Sequence, residues 1–224
     1  RGEPLFGEKM TQKSIPERMR EHHTEVFRKH GLTPQGVDWG TKEADILLRY
    51  DNMLAVIKAE DRSKRVKLLD VGCGYGGLLD RIEQLGLDIE YAGIDIVSEM
   101  IAEARNRHPS VRFETGDIFE AKDLGGYDYL VCNGILTQML DIPIGKMDEF
   151  ARSLIRRMFE LCNEGVAFNM MSNRVNFMVG NLFYKSPAEV LNWCMTEVTP
   201  NVRLDHAYPL YEFMVYLYRK GVPR

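Results

Sequence analysis

The sequence predicts an α/β fold, a three-layer sandwich on a seven-stranded, mostly parallel sheet with an antiparallel last strand, preceded by a helical cap. Three observations carry this. Five short runs rich in β-branched and aromatic residues, at 66–71, 90–94, 111–114, 127–132 and 165–170, are mostly separated by helical stretches at 77–85, 98–106 and 146–162. Such alternation buries a parallel sheet between two helical layers. The chain then closes with two strand-like runs, 201–206 and 211–219, joined by a short turn at Pro209, which is a hairpin signature and makes the sheet mixed. Finally, the first run leads directly into a glycine-rich turn that opens a helix.

The elements follow in order. Residues 1–62 form the cap segment. Within it, 16–30 are charged, with Met19, Val26 and Phe27 at helical spacing, and a loop at 31–40 follows. A second helix is expected from about 41 to 60, with Thr41 as its cap and Ile46, Leu47, Tyr50, Leu54 and Ile57 as its apolar stripe. Residues 61–65 are a charged connector. The main domain occupies 63–224, with an insertion at about 172–196 that carries Phe177, Phe183, Tyr184 and Trp193.

Composition narrows the function. The 224 residues hold 29 Lys plus Arg against 33 Asp plus Glu, a net charge of −4, which disfavours the basic face that nucleic acid selects. Cys73, Cys132, Cys162 and Cys194 are scattered without a CxxC pair, so neither a disulfide framework nor a zinc site is expected, and a reducing cytoplasm fits. The longest apolar runs fall far short of a membrane span. Small-molecule chemistry is the class that remains.

The sharpest local signal is Leu68-Leu69-Asp70-Val71-Gly72-Cys73-Gly74-Tyr75-Gly76-Gly77. Gly72 and Gly74 allow a tight turn and bring a ligand close to bare backbone. Gly72, Gly74 and Gly77 also satisfy the dinucleotide pattern GxGxxG. Asp70 separates the two readings, because a carboxylate beside this turn repels a pyrophosphate and attracts a cation. Asp70-Val71-Gly72-Cys73-Gly74-Tyr75-Gly76 resembles the first motif of class I S-adenosylmethionine-dependent methyltransferases, an acid followed by GxGxG. S-adenosylmethionine bears a sulfonium and an ammonium, so an acid suits it.

The resemblance extends along the chain from about residue 66 to 219 and implies a Rossmann-like fold. Asp95, 23 residues beyond Gly72, ends the second strand, where the family's acid accepts the ribose hydroxyls. Ile96 or Met100 would flank the adenine. Glu114-Thr115-Gly116-Asp117-Ile118 resembles the third motif, in which Asp117 accepts the adenine amino hydrogens and the Ile118 backbone N–H reaches the ring. At the end of the fourth strand Asn133 and Gly134 would lie beside the transferring methyl, the Asn133 carbonyl holding the methionine ammonium. Cys73 falls inside the glycine turn. In the cap, Trp39 and Arg49 resemble residues that cover the cofactor.

Departures from the family's subtypes narrow the acceptor. Cys132-Asn133-Gly134-Ile135 is not the Asn/Asp-Pro-Pro-aromatic motif of base methylation, and Phe168-Asn169-Met170-Met171 lacks the Asp-Asn pair of metal-dependent catechol enzymes. No metal is expected. Methyl transfer needs mainly positioning, worth about 7–11 kcal/mol, but an alcohol acceptor also needs a base, and histidine serves near neutral pH. His206, in the turn between the last two strands, is the leading candidate, against a packed turn residue; His22 and His23 follow, against a solvated helix face. Acceptor contacts are expected from His22, Asn169, Asn173, Tyr184, Tyr208 and Tyr211, with core filling as the competing role for the aromatics. The insertion, in this family a part of the substrate cap, implies an enclosed pocket for a small acceptor.

The expected activity is therefore methylation of a small molecule, on oxygen of a sugar, acid or secondary metabolite, with N-methylation of an amine as the alternative. A nicotinamide-dependent oxidoreductase would need an apolar residue in place of Asp70. A non-catalytic cofactor-binding subunit would have its pocket blocked by the insertion. Oligomeric state is not legible.

Overall fold

The computed structural model describes residues 13–221; the start of the expected cap (1–12) and the last residues of the main domain (222–224) lie outside them. The cap holds α1 (Ile15–His30) and α2 (Glu43–Leu54), separated by a 3-10 turn at Pro34–Val37. Ser14 and Glu17 close a reciprocal capping box at the start of α1, with Pro16 in its first turn. The second helix departs from expectation at both ends. Its N-cap is Lys42, with no side-chain cap bond, rather than Thr41. It stops at Leu54: the Ala55 N–H still donates to the Asp51 carbonyl, and the Val56 and Ile57 N–H groups then turn to the Met53 and Leu54 carbonyls, three residues back.

The main domain then alternates β1 (Val66–Val71), α3 (Gly77–Gln84), β2 (Ile89–Asp95), α4 (Ser98–Arg107), β3 (Arg112–Thr115), β4 (Tyr127–Cys132), α5 (Ile144–Leu161) and β5 (Cys162–Ser172). Within the insertion lie β6 (Tyr184–Lys185) and α6 (Pro187–Glu197), and the chain closes with β7 (Val202–Asp205) and β8 (Glu212–Tyr218). The sheet runs β3-β2-β1-β4-β5-β8-β7. All neighbours pair parallel except β8, which is antiparallel to both β5 and β7. The two-residue β6 pairs with the end of β5 and makes eight strands instead of seven. Helix α6 was signalled by Ser186-Pro187 and Glu189: the Ser186 side chain accepts the Glu189 N–H.

Period-two alternation along the central strands builds two cores. Leu69, Val71, Leu130, Cys132, Val166 and Phe168 face α5 and α6, while Leu68, Tyr129, Val131 and Ala167 face α2, α3 and α4. All four cysteines are free and buried. Among the described residues, no helix is long and apolar enough to cross a membrane.

Candidate active site

Beyond the carboxyl ends of β1, β2 and β4 lies a cavity of about 1150 Å³, counting space open to solvent. This is where an open parallel sheet presents its loops to ligands. All the residues expected to meet the cofactor line it except Arg49.

The glycine turn forms its floor. Gly74 adopts a left-handed φ of 55°, and its amide donates to Asp95 Oδ2 at 2.9 Å. Asp95 Oδ1 accepts the Val97 N–H at 2.9 Å, so one carboxylate ties the turn to the end of β2. Burial raises the Asp95 carboxyl above its ordinary range, and those backbone donors work against the rise. Asp70 is fully enclosed and accepts the Tyr91 hydroxyl at 2.8 Å. Burial, opposed by Tyr91 and reinforced by Asp95, pushes Asp70 up to about 7. Asp117 closes its own turn by accepting the Phe119 N–H at 2.9 Å.

The opposite wall is the turn after β4. The Asn133 side chain is buried there with neither Oδ1 nor Nδ2 partnered among the described residues, an expensive arrangement unless a ligand completes it. Gly134 has a φ of 95°, and a Cβ on it would stand 3.2 Å from the Trp39 indole nitrogen. Only glycine lets the cap ring approach so closely. The Gly134 N–H donates to Asn169 Oδ1 at 2.9 Å.

The cap forms the roof. Met19, His23, Val37, Trp39 and Tyr50 line the cavity from above. Arg18 pairs with Asp141 at 2.6 Å and Arg28 with Glu99 at 2.5 Å, so α1 is tethered on both sides of the cleft. Such exposed pairs fix orientation more than they add stability.

Several expected site residues fall elsewhere. Arg49 stacks on Trp39 at 5.4 Å and directs Nε at both Glu212 oxygens, at 3.1 and 3.2 Å; it braces the roof from behind. Asn169 supports Gly134 from beneath the turn and does not line the cavity. His206 does not line it either: it is exposed, with its ring edge-on to Phe213 at 6.1 Å. The reason is lateral distance, since β7 is three strands from β4, roughly 14 Å at ordinary strand spacing. Tyr208 and Tyr211 share that end of the sheet; Tyr208 is packed inward, and Tyr211 is 60% exposed against Phe177.

The insertion behaves differently from expectation as well. Asn173 is exposed, and its backbone N–H donates to the Lys185 carbonyl. The Tyr184 hydroxyl accepts the Val179 N–H at 3.2 Å. The insertion lies along the segment after β4, with the Met139 N–H donating to Asn181 and the Phe183 N–H to Thr137. It braces the wall and does not block the cavity.

On α1 it is His23, not His22, that lines the cavity. A signal for this was in the sequence: Met19, His23, Val26 and Phe27 sit at i, i+4, i+7 and i+8, one helical face. His22 Nε2 instead lies 3.0 Å from Asp38 Oδ2. Thr137 and Gln138 also line the cavity; no motif marked them.

Comparison with known proteins gives a concordant assignment. Residues 62–212 match the family model described as a methyltransferase domain. The Mycobacterium tuberculosis protein Rv1506c, assigned to the methyltransferases, is 31% identical over 158 residues, covering 68% of this chain and 92% of that protein. Among solved structures, Synechocystis magnesium protoporphyrin IX methyltransferase with bound S-adenosylmethionine is similar with a TM-score of 0.66 at 17% identity, over 94% of this chain and 100% of that one. The DhpI complex with S-adenosylhomocysteine is similar with a TM-score of 0.57 at 18% identity, over 96% and 100%. With its acid-lined glycine turn and its matched domain, the chain belongs to the class I S-adenosylmethionine-dependent methyltransferases.

Proposed function

We propose that this methyltransferase acts on a small molecule, at an oxygen atom. The observation that carries the reading is the roof: Met19, His23, Val37 and Trp39 close over the cofactor cleft, leaving a room with apolar walls and a few polar groups instead of an open platform for a macromolecule. Two of the similar solved structures are the magnesium protoporphyrin IX and N-acetylserotonin methyltransferases, whose names give small acceptors.

The residues present fit the cofactor. Acids at Asp70 and Asp95 suit a cation, and the unpartnered Asn133 amide faces the same cavity. Asp95 would accept the ribose hydroxyls, Ile96, Met100, Asp117 and Ile118 would hold the adenine, and Asn133 with Gly134 would position the methionine end. The bound cofactor supplies an electrophilic methyl on a sulfonium. The protein holds an acceptor oxygen in line with it, keeps water out beneath the cap and receives the acceptor's proton.

Two experiments test this. Incubation with methyl-tritiated S-adenosylmethionine and a mixture of hydroxylated metabolites, RNA and protein is expected to place the label in the low-mass fraction; label in RNA or protein would refute the small-acceptor reading. Asp70 gives the second. With its pKa near 7 against about 3.9 unfolded, the folded protein binds the extra proton, so this group's contribution to stability falls as pH rises between those values. A cationic ligand prefers the ionised form. Cofactor affinity is therefore expected to tighten from about pH 6 to about pH 8, by up to roughly tenfold over the whole interval, and Asp70→Asn is expected to flatten that slope in calorimetric titration.

A further inference from the structure

Asp38 stands at the junction of the cap and the wall of the cavity, in a left-handed conformation with φ of 61°. Its Oδ2 meets two side chains, His22 Nε2 at 3.0 Å and Gln138 Nε2 at 3.1 Å. An ionised carboxylate only accepts, so both partners must donate. For Gln138 this fixes the amide: its nitrogen is committed to Asp38, and Oε1 is turned the other way. That oxygen is buried and has no hydrogen-bond partner among the described residues. A buried acceptor in a cavity wall calls for a donor from a ligand.

The same carboxylate sets the pitch of α1. With His22 held by Asp38, the next residue, His23, is delivered to the cavity. Its ring forms no hydrogen bond among the described residues. Burial, assisted by His22 and opposed by Asp38, lowers its pKa to about 4, so the imidazole is neutral at physiological pH and has a lone pair to offer. Met19, Ile135, Phe150 and Leu154 supply apolar surface to the same cavity, which suits a flat, apolar acceptor body.

We propose that Gln138 Oε1 and His23 form the acceptor seat, which takes a phenolic or enolic hydroxyl with a second hydroxyl beside it: His23 takes the proton of the hydroxyl that is methylated, Gln138 accepts the hydrogen bond of its neighbour, and Asp38 positions both. The proposal rests on the oxygen-methylation reading above and specifies its site. The acceptor oxygen forms the new C–O bond, the C–S bond breaks with its electron pair going to sulfur, and the hydroxyl proton passes to the imidazole. One positive charge enters on the sulfonium and remains on the imidazolium, so the net charge of the closed site is unchanged. A weakly basic imidazole serves an acidic hydroxyl better than an alkanol, because proton transfer follows the difference in basicity.

Catechol, phenol and thiophenol are the probes. In the S-adenosylhomocysteine complex, titration with catechol is expected to give saturable nitrogen chemical-shift changes at the His23 ring and the Gln138 amide, assigned with His23→Gln and Gln138→Leu. With S-adenosylmethionine, His23→Gln is expected to lower the ratio of phenol to thiophenol methylation by about 100-fold or more, because thiophenol is ionised at neutral pH and brings no proton to remove. Gln138→Leu is expected to raise KM for catechol at least about tenfold with a smaller change in kcat, and to leave KM for phenol, which has no second hydroxyl, within about threefold. Catechol that leaves both signals unmoved, or a rate ratio unchanged in His23→Gln, overturns the seat. If the wild-type protein methylates phenol and thiophenol and only their ratio fails to move, the seat falls while small-molecule methylation stands; if catechol binds and none of the probes is methylated, the oxygen-methylation reading falls first.

Discussion

Asp95→Ala is expected to weaken S-adenosylmethionine and S-adenosylhomocysteine binding by about 100-fold or more, the largest loss of cofactor affinity from any single substitution in this chain. The carboxylate holds the amides of Gly74 and Val97 at 2.9 Å each, and the resemblance to the family assigns it the ribose hydroxyls too. Hydrogen bonds to a charged group contribute about 1.5–3 kcal/mol each, and 1.4 kcal/mol is a factor of ten. Losing one such ligand contact and loosening the turn that forms the floor gives the expected magnitude. Stability falls less, by about 1–2 kcal/mol, because removing the carboxylate frees two backbone amides but also removes a group whose ionised form burial disfavours. Asp95→Asn separates these effects: the amide keeps one acceptor oxygen and loses the other. Calorimetric titration with S-adenosylhomocysteine is the measurement, and an affinity within threefold of wild type would remove Asp95 from the site.

The features that the sequence disclosed are local ones. Asp70 to Gly76 is a contiguous strand-to-helix turn whose conformation depends on glycine, so its geometry follows from its own residues. The same is true of the end of β2 at Asp95 and of β4, whose bounds at Tyr127 and Cys132 coincide with those expected. His206 was misplaced for a different reason. The order of strands puts the β7–β8 turn at the right edge of the sheet, yet lateral distance, which no local pattern encodes, removes it from the cleft. Asn169 and Arg49 were assigned to ligands and instead support the groups that line the cavity, since an uncrowded polar residue and a supporting one look alike in sequence. Gln138 carried no signal at all. Its role depends on a carboxylate 100 residues earlier, and only the folded cap brings the two together. His23 was nearer to being legible, because its helical phase with Met19 puts it on the inward face while the neighbouring charges suggest the outward one.

Arg49→Met is expected to destabilise the protein by about 3–5 kcal/mol, the cost of leaving one half of a buried ion pair. Glu212 is 2% exposed, and burial raises its pKa while Arg49, foremost among the groups that oppose the rise, and Asn169 hold it down. Without Arg49 the carboxyl rises further, so the folded state takes up a proton that the unfolded state releases. The sign is then fixed: between the unfolded value near 4.3 and the raised folded value, stability falls as pH increases. The Arg49→Met penalty is therefore expected to be largest at neutral pH and to shrink toward about pH 5, which chemical denaturation at two pH values would detect; a penalty independent of pH would mean that Glu212 is not the stranded group. Arg49→Met with Glu212→Leu is expected to recover most of the stability, since replacing both halves by apolar groups leaves no charge unpaired. Cofactor binding should not recover with it. Arg49 stacks on Trp39, Trp39 lies over Gly134, the Gly134 amide is held by Asn169, and Asn169 bears on Glu212. That circuit couples the roof of the cavity to its far wall, and the double variant keeps the fold while releasing the ring that closes it.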